Sequence, residues 1–267
     1  MNPVLEMRAV EFAFDGKKIL DGVSLTVRKG ERLVVLGQSG SGKSTILRLI
    51  LGTLRPRSGA IFFQNENLTL LKRRALNRVR SRIGMVYQYA ALISSLNVRD
   101  NLALPLEELT DKPRAEIEAI VDEKLALVEL GDAKEKMPAE LSGGMKKRIG
   151  IARALVHEPE LILFDEPSAG LDPVTAAVID DLILDLSKKT GATAVIVTHL
   201  MHSALKIATQ MAMLEEGKIV AEGTPDEMRD SSQPAVVGFL EATQDERPAH
   251  EHARPHSTPA TTRPHDP

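Results

Sequence analysis

The sequence predicts an α/β fold: a mainly parallel sheet of buried strands, turn-linked strands ahead of it and a helical insertion within it. Three observations carry this. Leu33 to Leu36 is an apolar run that meets Gly37-Gln38-Ser39-Gly40-Ser41-Gly42-Lys43-Ser44-Thr45 and then an apolar-periodic segment from Ile46 to Leu51, the order strand, glycine loop, helix. Glu160 to Phe164 and Thr193 to Val197 are further strand-length runs, apolar almost throughout, as strands buried on both faces are. From Gln88 to about residue 158, apolar positions follow helical spacing instead.

With 267 residues the chain can bury a sizeable core in one large or two small domains. Its 43% hydrophobic and 27% charged residues are ordinary for a globular protein. A net charge of −3 offers no overall basic field to nucleic acid, and the absence of cysteine excludes disulfides and thiolate metal sites. Met1 to Glu6 lacks the charged and apolar regions of a signal peptide, and no apolar run approaches the roughly 18 residues of a membrane span. These features predict a cytoplasmic protein, with any membrane attachment made through a partner.

Residues 4–36 read as short strands: Val4 to Phe14, a turn at Asp15-Gly16, Ile19-Leu20, and Ser24 to Val27 before a turn at Lys29-Gly30. Phe14 either stacks on a nucleobase or packs as an ordinary strand residue, and its position alone leaves both open. The Gly37–Thr45 loop fits G-x-x-x-x-G-K-[ST], the phosphate-cradling loop of nucleotide triphosphatases. Its glycines let backbone N–H groups turn inward on phosphate oxygens, and the helix it opens favours anions at its N-terminus. In that role Lys43 reaches the β- and γ-phosphates and the Ser44 hydroxyl sits on Mg²⁺. Arg55 to Gly59 ends the helix, and Ala60 to Phe63 is a strand. Leu70 to Arg82 reads as a basic amphipathic helix whose Lys72, Arg73, Arg74, Arg78, Arg80 and Arg82 form a solvated face. Ile83 to Tyr87 is a strand that ends at Gln88, an amide at the edge where α/β sheets bind ligands.

Helices are expected over Leu96 to Leu106, Arg114 to Leu130 and Met145 to Val156, punctuated by Pro105, Pro113 and Pro138. Before the third stands Leu141-Ser142-Gly143-Gly144-Met145, where Ser142 can cap the helix and the two glycines leave N–H groups bare. This is a second potential phosphate site. One nucleotide per chain needs only one, so this segment is assigned to a nucleotide held by another copy. Asp165 and Glu166 end the Glu160–Phe164 strand at the ligand edge of the sheet. Asp165 suits Mg²⁺, and Glu166 suits the general base that polarises the attacking water. Ser168 to Pro173 is a turn into a helix over Val174 to Lys189. The strand from Thr193 delivers Thr198-His199, and His199 at that edge can contact a γ-phosphate or the water; His202 is a weaker candidate on the next helix. Met211 to Leu214 and Lys218 to Ala221 form a hairpin, followed by short helices near 225–231 and 234–242. From Gln244 on there is little to bury, so disorder is expected, and His250, His252, His256 and His265 match no metal-ligand spacing.

Over about residues 4–243 these pieces together resemble the ATP-binding subunit of ABC transporters. The motifs recur in order: the Gly37–Thr45 loop, Gln88 of the Q-loop, the Leu141–Met145 signature, the Leu161–Glu166 Walker B strand, the D-loop from Ser168 to Asp172, and the His199 switch. The resemblance implies a P-loop NTPase fold of the ABC ATPase kind, with a mainly parallel core sheet, an antiparallel β subdomain and a helical subdomain at about 89–158. It implies one ATP-binding domain over residues 1–243 and a tail over 244–267. ATP and Mg²⁺ are then the cofactors, Phe14 stacks on adenine, and Gln88 joins Ser44 and Asp165 at Mg²⁺. Leu141, Ser142, Gly143, Gly144 and Met145 act in trans, in an ATP-dependent head-to-tail dimer. Two residues depart from the family pattern: Met145 stands where Gln is usual, and Leu200 follows the His where Asp is usual. Methionine makes no strong hydrogen bond, so one polar contact at the dimer interface is expected to be lost while the backbone groups remain.

The signature ending in Met145 and followed by basic residues is similar to that of the ATPases of Mce-type (Mla-like) lipid transporters, as is the stretch from Gln88 to Leu106. That similarity implies phospholipid trafficking, polytopic permease subunits and an Mce-type lipid-binding protein as partners, no nucleic acid, and a peripheral place on the inner face of the cell membrane. The alternatives are an ABC transporter for another substrate and a non-transport ABC ATPase. Chromosome-maintenance heads insert long coiled coils where this chain has a short segment without sustained heptads. Translation-associated proteins carry two cassettes, and here there is one. Glu166 and His199 argue against a module that holds ATP without hydrolysing it.

Overall fold

The computed structural model describes residues 3–244. Among them the chain runs β1 (Leu5–Phe14), β2 (Lys17–Val27), β3 (Arg32–Leu36), α1 (Lys43–Ile50), β4 (Ser58–Phe63), β5 (Glu66–Asn67), α2 (Arg73–Arg80), β6 (Ile83–Val86), α3 (Val98–Leu109), α4 (Arg114–Leu127), α5 (Gly143–Ala154) and β7 (Leu161–Asp165). It continues through α6 (Pro173–Thr190), β8 (Thr193–Thr198), α7 (Met201–Ile207), β9 (Gln210–Glu215), β10 (Lys218–Gly223), α8 (Pro225–Arg229) and α9 (Pro234–Gln244). The expected tail and its four histidines lie outside the described residues.

The strands form two sheets. One is antiparallel, in the order β2-β1-β4-β5. The other has the order β10-β9-β3-β8-β7-β6, parallel throughout except for β10. Side chains alternate across the second sheet as the two-residue period of a strand requires. Val34, Leu36, Ile162, Phe164, Ala194 and Ile196 join an apolar cluster with α3 to α7. Leu33, Val35, Leu161, Leu163, Val195 and Val197 join a second cluster with α1 and the antiparallel sheet. Both faces are covered, which is why these runs carry no polar alternation. β1, at 10 residues, matches the expected Val4–Phe14 to within one residue, whereas β2 is one continuous strand of 11 residues where two pieces, Ile19-Leu20 and Ser24 to Val27, are expected; the two strands join at Asp15-Gly16, and β1 holds its pairing through register shifts between Met7 and Ala13.

Three expectations are corrected. The helix expected to end at Leu106, one residue past Pro105, continues to Leu109 with Pro105 inside it. Leu102, Ala103 and Leu106 on either side of it are buried in one cluster, and that packing outweighs the missing N–H. The helix expected from Leu70 begins only at Arg73, because a 3-10 turn over Leu68–Leu70 comes first, capped by the Asn67 side chain accepting from the Thr69 N–H. The basic face is also only partly solvated. Lys72, Arg73, Arg74 and Arg78 are exposed, whereas Arg80 donates to the carbonyls of Leu51 (2.8 Å) and Gly52 (3.0 Å) at the end of α1. Arg82 pairs with Glu160 and lies over the Phe63 ring at 4.8 Å. Arg80→Ala should therefore lower unfolding free energy by about 1–3 kcal/mol, because it strands two carbonyls. Arg78→Ala should stay within about 0.5 kcal/mol. Urea denaturation of the two variants checks this difference.

Candidate nucleotide site

Four parallel strands end at one edge and deliver the polar residues there. After β3, the chain turns through Gly37–Gly42 into α1. A Cβ on Gly37 would strike the Leu214 carbonyl oxygen, and Gly42, at φ 107°, caps α1 in a conformation open to glycine. The Ser41 hydroxyl is buried in this turn without a hydrogen-bond partner, a donor left available for an incoming acceptor. Lys43, the first residue of α1, is buried and donates to the carbonyls of Gly37 (2.8 Å) and Gln38 (3.0 Å). Ser44 Oγ donates to Asp165 Oδ1 at 2.8 Å.

Glu166 follows β7 and is 8% exposed. Its Oε1 is 3.6 Å from Lys43 Nζ, and its Oε2 lies 2.9 Å from His199 Nδ1 and accepts from the His199 N–H at 3.2 Å. Its backbone is left-handed, at φ 48°, a conformation that costs a non-glycine residue energy and is retained where the surroundings over-determine it. Burial pushes the Lys43 ammonium below its ordinary pKa, opposed by Glu166 and Asp165. Burial pushes the Asp165 carboxyl up, opposed by the hydrogen bond from Ser44. A buried lysine and a buried carboxylate, with the half-buried Asp165 beside them, thus stand at the mouth of a phosphate-type loop, an arrangement that suits a ligand bringing its own negative charge and a cation.

The Ser44–Asp165 pair is an all-oxygen donor set. Among the described residues no group of three His, Cys, Asp or Glu side chains could hold a metal unaided. A hydroxyl beside one carboxylate is the kind of donor set that Mg²⁺ takes together with water and substrate phosphates.

Gln88 lies two residues past β6, half-buried, and among the described residues it has no hydrogen bond to this cluster. Phe14, at the end of β1, is 45% exposed and packs edge-on against Phe12 at 4.8 Å. His202 is exposed on α7 and meets the Ser203 hydroxyl at 3.3 Å. A cavity of ≈ 810 Å³ opens beside the loop; it shares Gln38 to Ser41 and His199 with the site, is walled by α9, and does not reach Lys43, Asp165 or Glu166.

Leu141 to Met145 are elsewhere. Ser142 caps α5, its hydroxyl accepting from the Met145 N–H at 3.3 Å, and Ser142 and Gly143 are exposed. Asp172 caps α6 by accepting from Thr175 (3.0 Å) and Val174 (3.1 Å), and hydrogen bonds, Thr175 foremost, hold its carboxyl below the usual range. Among the described residues none of these hydrogen-bonds to the Lys43 cluster. The Met145 side chain packs partly buried against the core.

The family model described as ABC transporter matches residues 20–169. The chain belongs to the ABC transporter family. It is an ATP-binding, ATP-hydrolysing cassette, and its architecture is that of solved ABC cassettes. The cassette MJ0796, in a dimeric post-hydrolysis state bound to ADP and Pi, superposes with a TM-score of 0.75 at 30% identity, covering 83% of this chain and 98% of that one. The intermembrane phospholipid transport system ATP-binding protein MlaF of Escherichia coli is 41% identical over 242 residues, 91% of this chain and 90% of its own length. A probable ribonucleotide transport ATP-binding protein, mkl of Mycobacterium tuberculosis, is 41% identical over 240 residues, 90% of this chain and 67% of its own length.

Sequence reasoning on this cassette missed two contacts that join α5 to neighbouring loops. Lys147, buried, donates to the Glu166 carbonyl at 2.9 Å. Arg153 donates to the carbonyls of Ala91 (2.7 Å) and Ala90 (2.8 Å), both left-handed residues just after Gln88. The available signal was spacing: Lys147 lies three and four residues before Gly150 and Ile151 on the buried face of α5, not on an outer face.

Proposed function

We propose that this cassette powers a membrane transporter that moves phospholipid, and that the Lys43–Ser44–Asp165–Glu166–His199 cluster is its hydrolytic site. The observation that carries the reading is Glu166, buried, with one carboxylate oxygen beside Lys43 and the other on His199. When ATP enters the loop, Lys43 leaves the Gly37 and Gln38 carbonyls for the β- and γ-phosphates, with backbone donors of Gln38, Ser39, Gly40, Ser41, Gly42 and Thr45 around them. Glu166 then takes a proton from the attacking water, and His199 orients that carboxylate and meets the γ-phosphate. Ser44, Asp165 and Gln88 would hold Mg²⁺, which when bound would supply positive charge to offset that of the phosphates. Phe14 stacks on the adenine. The reading treats residues 1–243 as one ATP-binding domain, with a helical subdomain at about 89–158.

Leu141 to Met145 and the Asp172 turn serve a second copy. Two chains meet head to tail, each presenting Ser142-Gly143-Gly144 to the γ-phosphate held by the other, which under two-fold symmetry makes two equivalent composite sites. Ser142→Arg should keep ATP binding to the monomer and block hydrolysis by filling that gap; nucleotide titration and phosphate release check the split.

The partner in the membrane is a polytopic permease. Support comes from the exposed Tyr87, Tyr89 and Ile93 around Gln88, with Tyr89 85% exposed, on a loop fixed from behind by Arg153. An exposed aromatic patch on a braced loop is what a partner surface needs. The phospholipid reading rests on the Met145 form of the signature and on MlaF, matched along nearly its whole length. Purification of the tagged chain from detergent-solubilised source membranes tests it. The expected result is a polytopic protein, an Mce-type protein and bound phospholipid; a permease without an Mce-type protein or lipid would overturn the lipid reading and leave the transport reading standing.

A further inference from the structure

Buried lysines are rare unless their charge is answered. Lys147 is 6% exposed, on α5, and no carboxylate forms an ion pair with it among the described residues; its ammonium is spent on the backbone carbonyl of Glu166 at 2.9 Å. The opposite end of the same residue is also tied, the Glu166 N–H donating to the Val197 carbonyl at 2.9 Å. Glu166 is thus held on both sides of a left-handed backbone (φ 48°) that it would otherwise leave. One tie comes from the strand β8 and the other from a helix outside the sheet; the same carbonyl also accepts the Ala169 N–H, at the longer distance of 3.3 Å. Burial holds the Lys147 ammonium below its ordinary pKa, opposed in part by the charges of Glu166 and Asp165.

We propose that Lys147 is a positioning residue for hydrolysis: it clamps the Glu166 carbonyl and thereby lets α5 set where the carboxylate stands. The proposal rests on Glu166 being the general base. The same helix is capped by Ser142, five residues or about 7.5 Å before Lys147. In a head-to-tail pair the Ser142 end touches the partner's nucleotide, while Lys147 holds the base that serves the protomer's own. Helix α5 is then a rigid link between the two composite sites, and tilting it on one nucleotide moves the base at the other. Small displacements of a reacting group cost rate steeply, on the order of 10²-fold per 1 Å.

The test is Lys147→Met, which keeps the apolar stem and removes the donor, beside Lys147→Arg, which restores one. Phosphate release is measured against ATP concentration for each, alone and in a Glu166→Gln background. For Lys147→Met, kcat should fall about 10- to 100-fold with KM and nucleotide affinity near the parent. Lys147→Arg should recover most of the rate. In the Glu166→Gln background, Lys147→Met should add less than about a twofold loss, because the group it positions no longer takes a proton. Should Lys147→Met not melt as a folded protein, Lys147→Leu, which also lacks a donor, is judged by the same split between kcat and KM. A parent-like kcat in Lys147→Met, with Glu166→Gln inactive, overturns the positioning role and leaves the base assignment intact. Equal fractional losses in both backgrounds overturn it too. A parent-like rate in Glu166→Gln removes the base assignment itself.

Discussion

Glu166→Gln is expected to bind ATP as the parent does and to hydrolyse it about 10²–10⁴-fold more slowly, the usual range for loss of general-base help. The amide keeps the shape of the carboxylate but cannot accept a proton from water. It can still accept the His199 N–H, so the loop after β8 stays in place. That turns its NH₂ toward Lys43, where a carboxylate oxygen now stands 3.6 Å away. The substitution therefore also removes the anion facing the lysine, which works in favour of bound nucleotide and against turnover. ATP-loaded protein should accumulate and associate. Equilibrium nucleotide binding together with single-turnover phosphate release decides the matter, and hydrolysis at the parent rate would remove Glu166 from the chemistry.

Lys43→Ala is expected to abolish ATP binding or weaken it by at least about 10²-fold, since hydrogen bonds to charged groups contribute about 1.5–3 kcal/mol each and two phosphates lose theirs. The same change leaves the Gly37 and Gln38 carbonyls without their donor and Glu166 without its neighbouring cation. The loop should lose order as well as charge. Lys43→Met separates the two effects, because its stem still fills the buried space while the charge is gone. Fluorescent-nucleotide titration with both variants gives the comparison; unchanged affinity in Lys43→Ala would contradict the loop's role.

The parts of the fold that the sequence made legible are those where local pattern and tertiary environment agree. Leu33–Leu36, Leu161–Phe164 and Thr193–Val197 are covered on both faces, so composition alone identified them as sheet interior. The strand ends carrying Lys43, Asp165, Glu166 and His199 were readable because a parallel sheet presents its ligand groups at one edge. What escaped was set by contacts distant in sequence. Pro105 stayed helical because Leu102 and Leu106 pack on either side of it. Arg80 and Lys147 look like members of solvated basic runs, and each is turned onto a carbonyl of another segment. The left-handed backbone of Glu166 has no sequence signal at all, since nothing about a glutamate foretells it. Leu200, where the family usually has Asp, opens α7 without a side-chain cap, and the Thr198 hydroxyl accepts its N–H at 3.1 Å instead.

The trans arrangement is tested most directly by mixing Ser142→Arg protein with Lys43→Ala protein, both also carrying Glu166→Gln to hold the ATP state, and measuring association by sedimentation velocity. In the mixed pair both lesions fall on one composite site, and the other is intact. ATP binding to the folded, paired state stabilises it by mass action, so ATP should drive the mixture into dimers and leave each variant alone monomeric. ATP-dependent dimers of Ser142→Arg alone, as abundant as those of protein bearing only Glu166→Gln, would contradict the assignment of Ser142-Gly143-Gly144 to the partner's nucleotide.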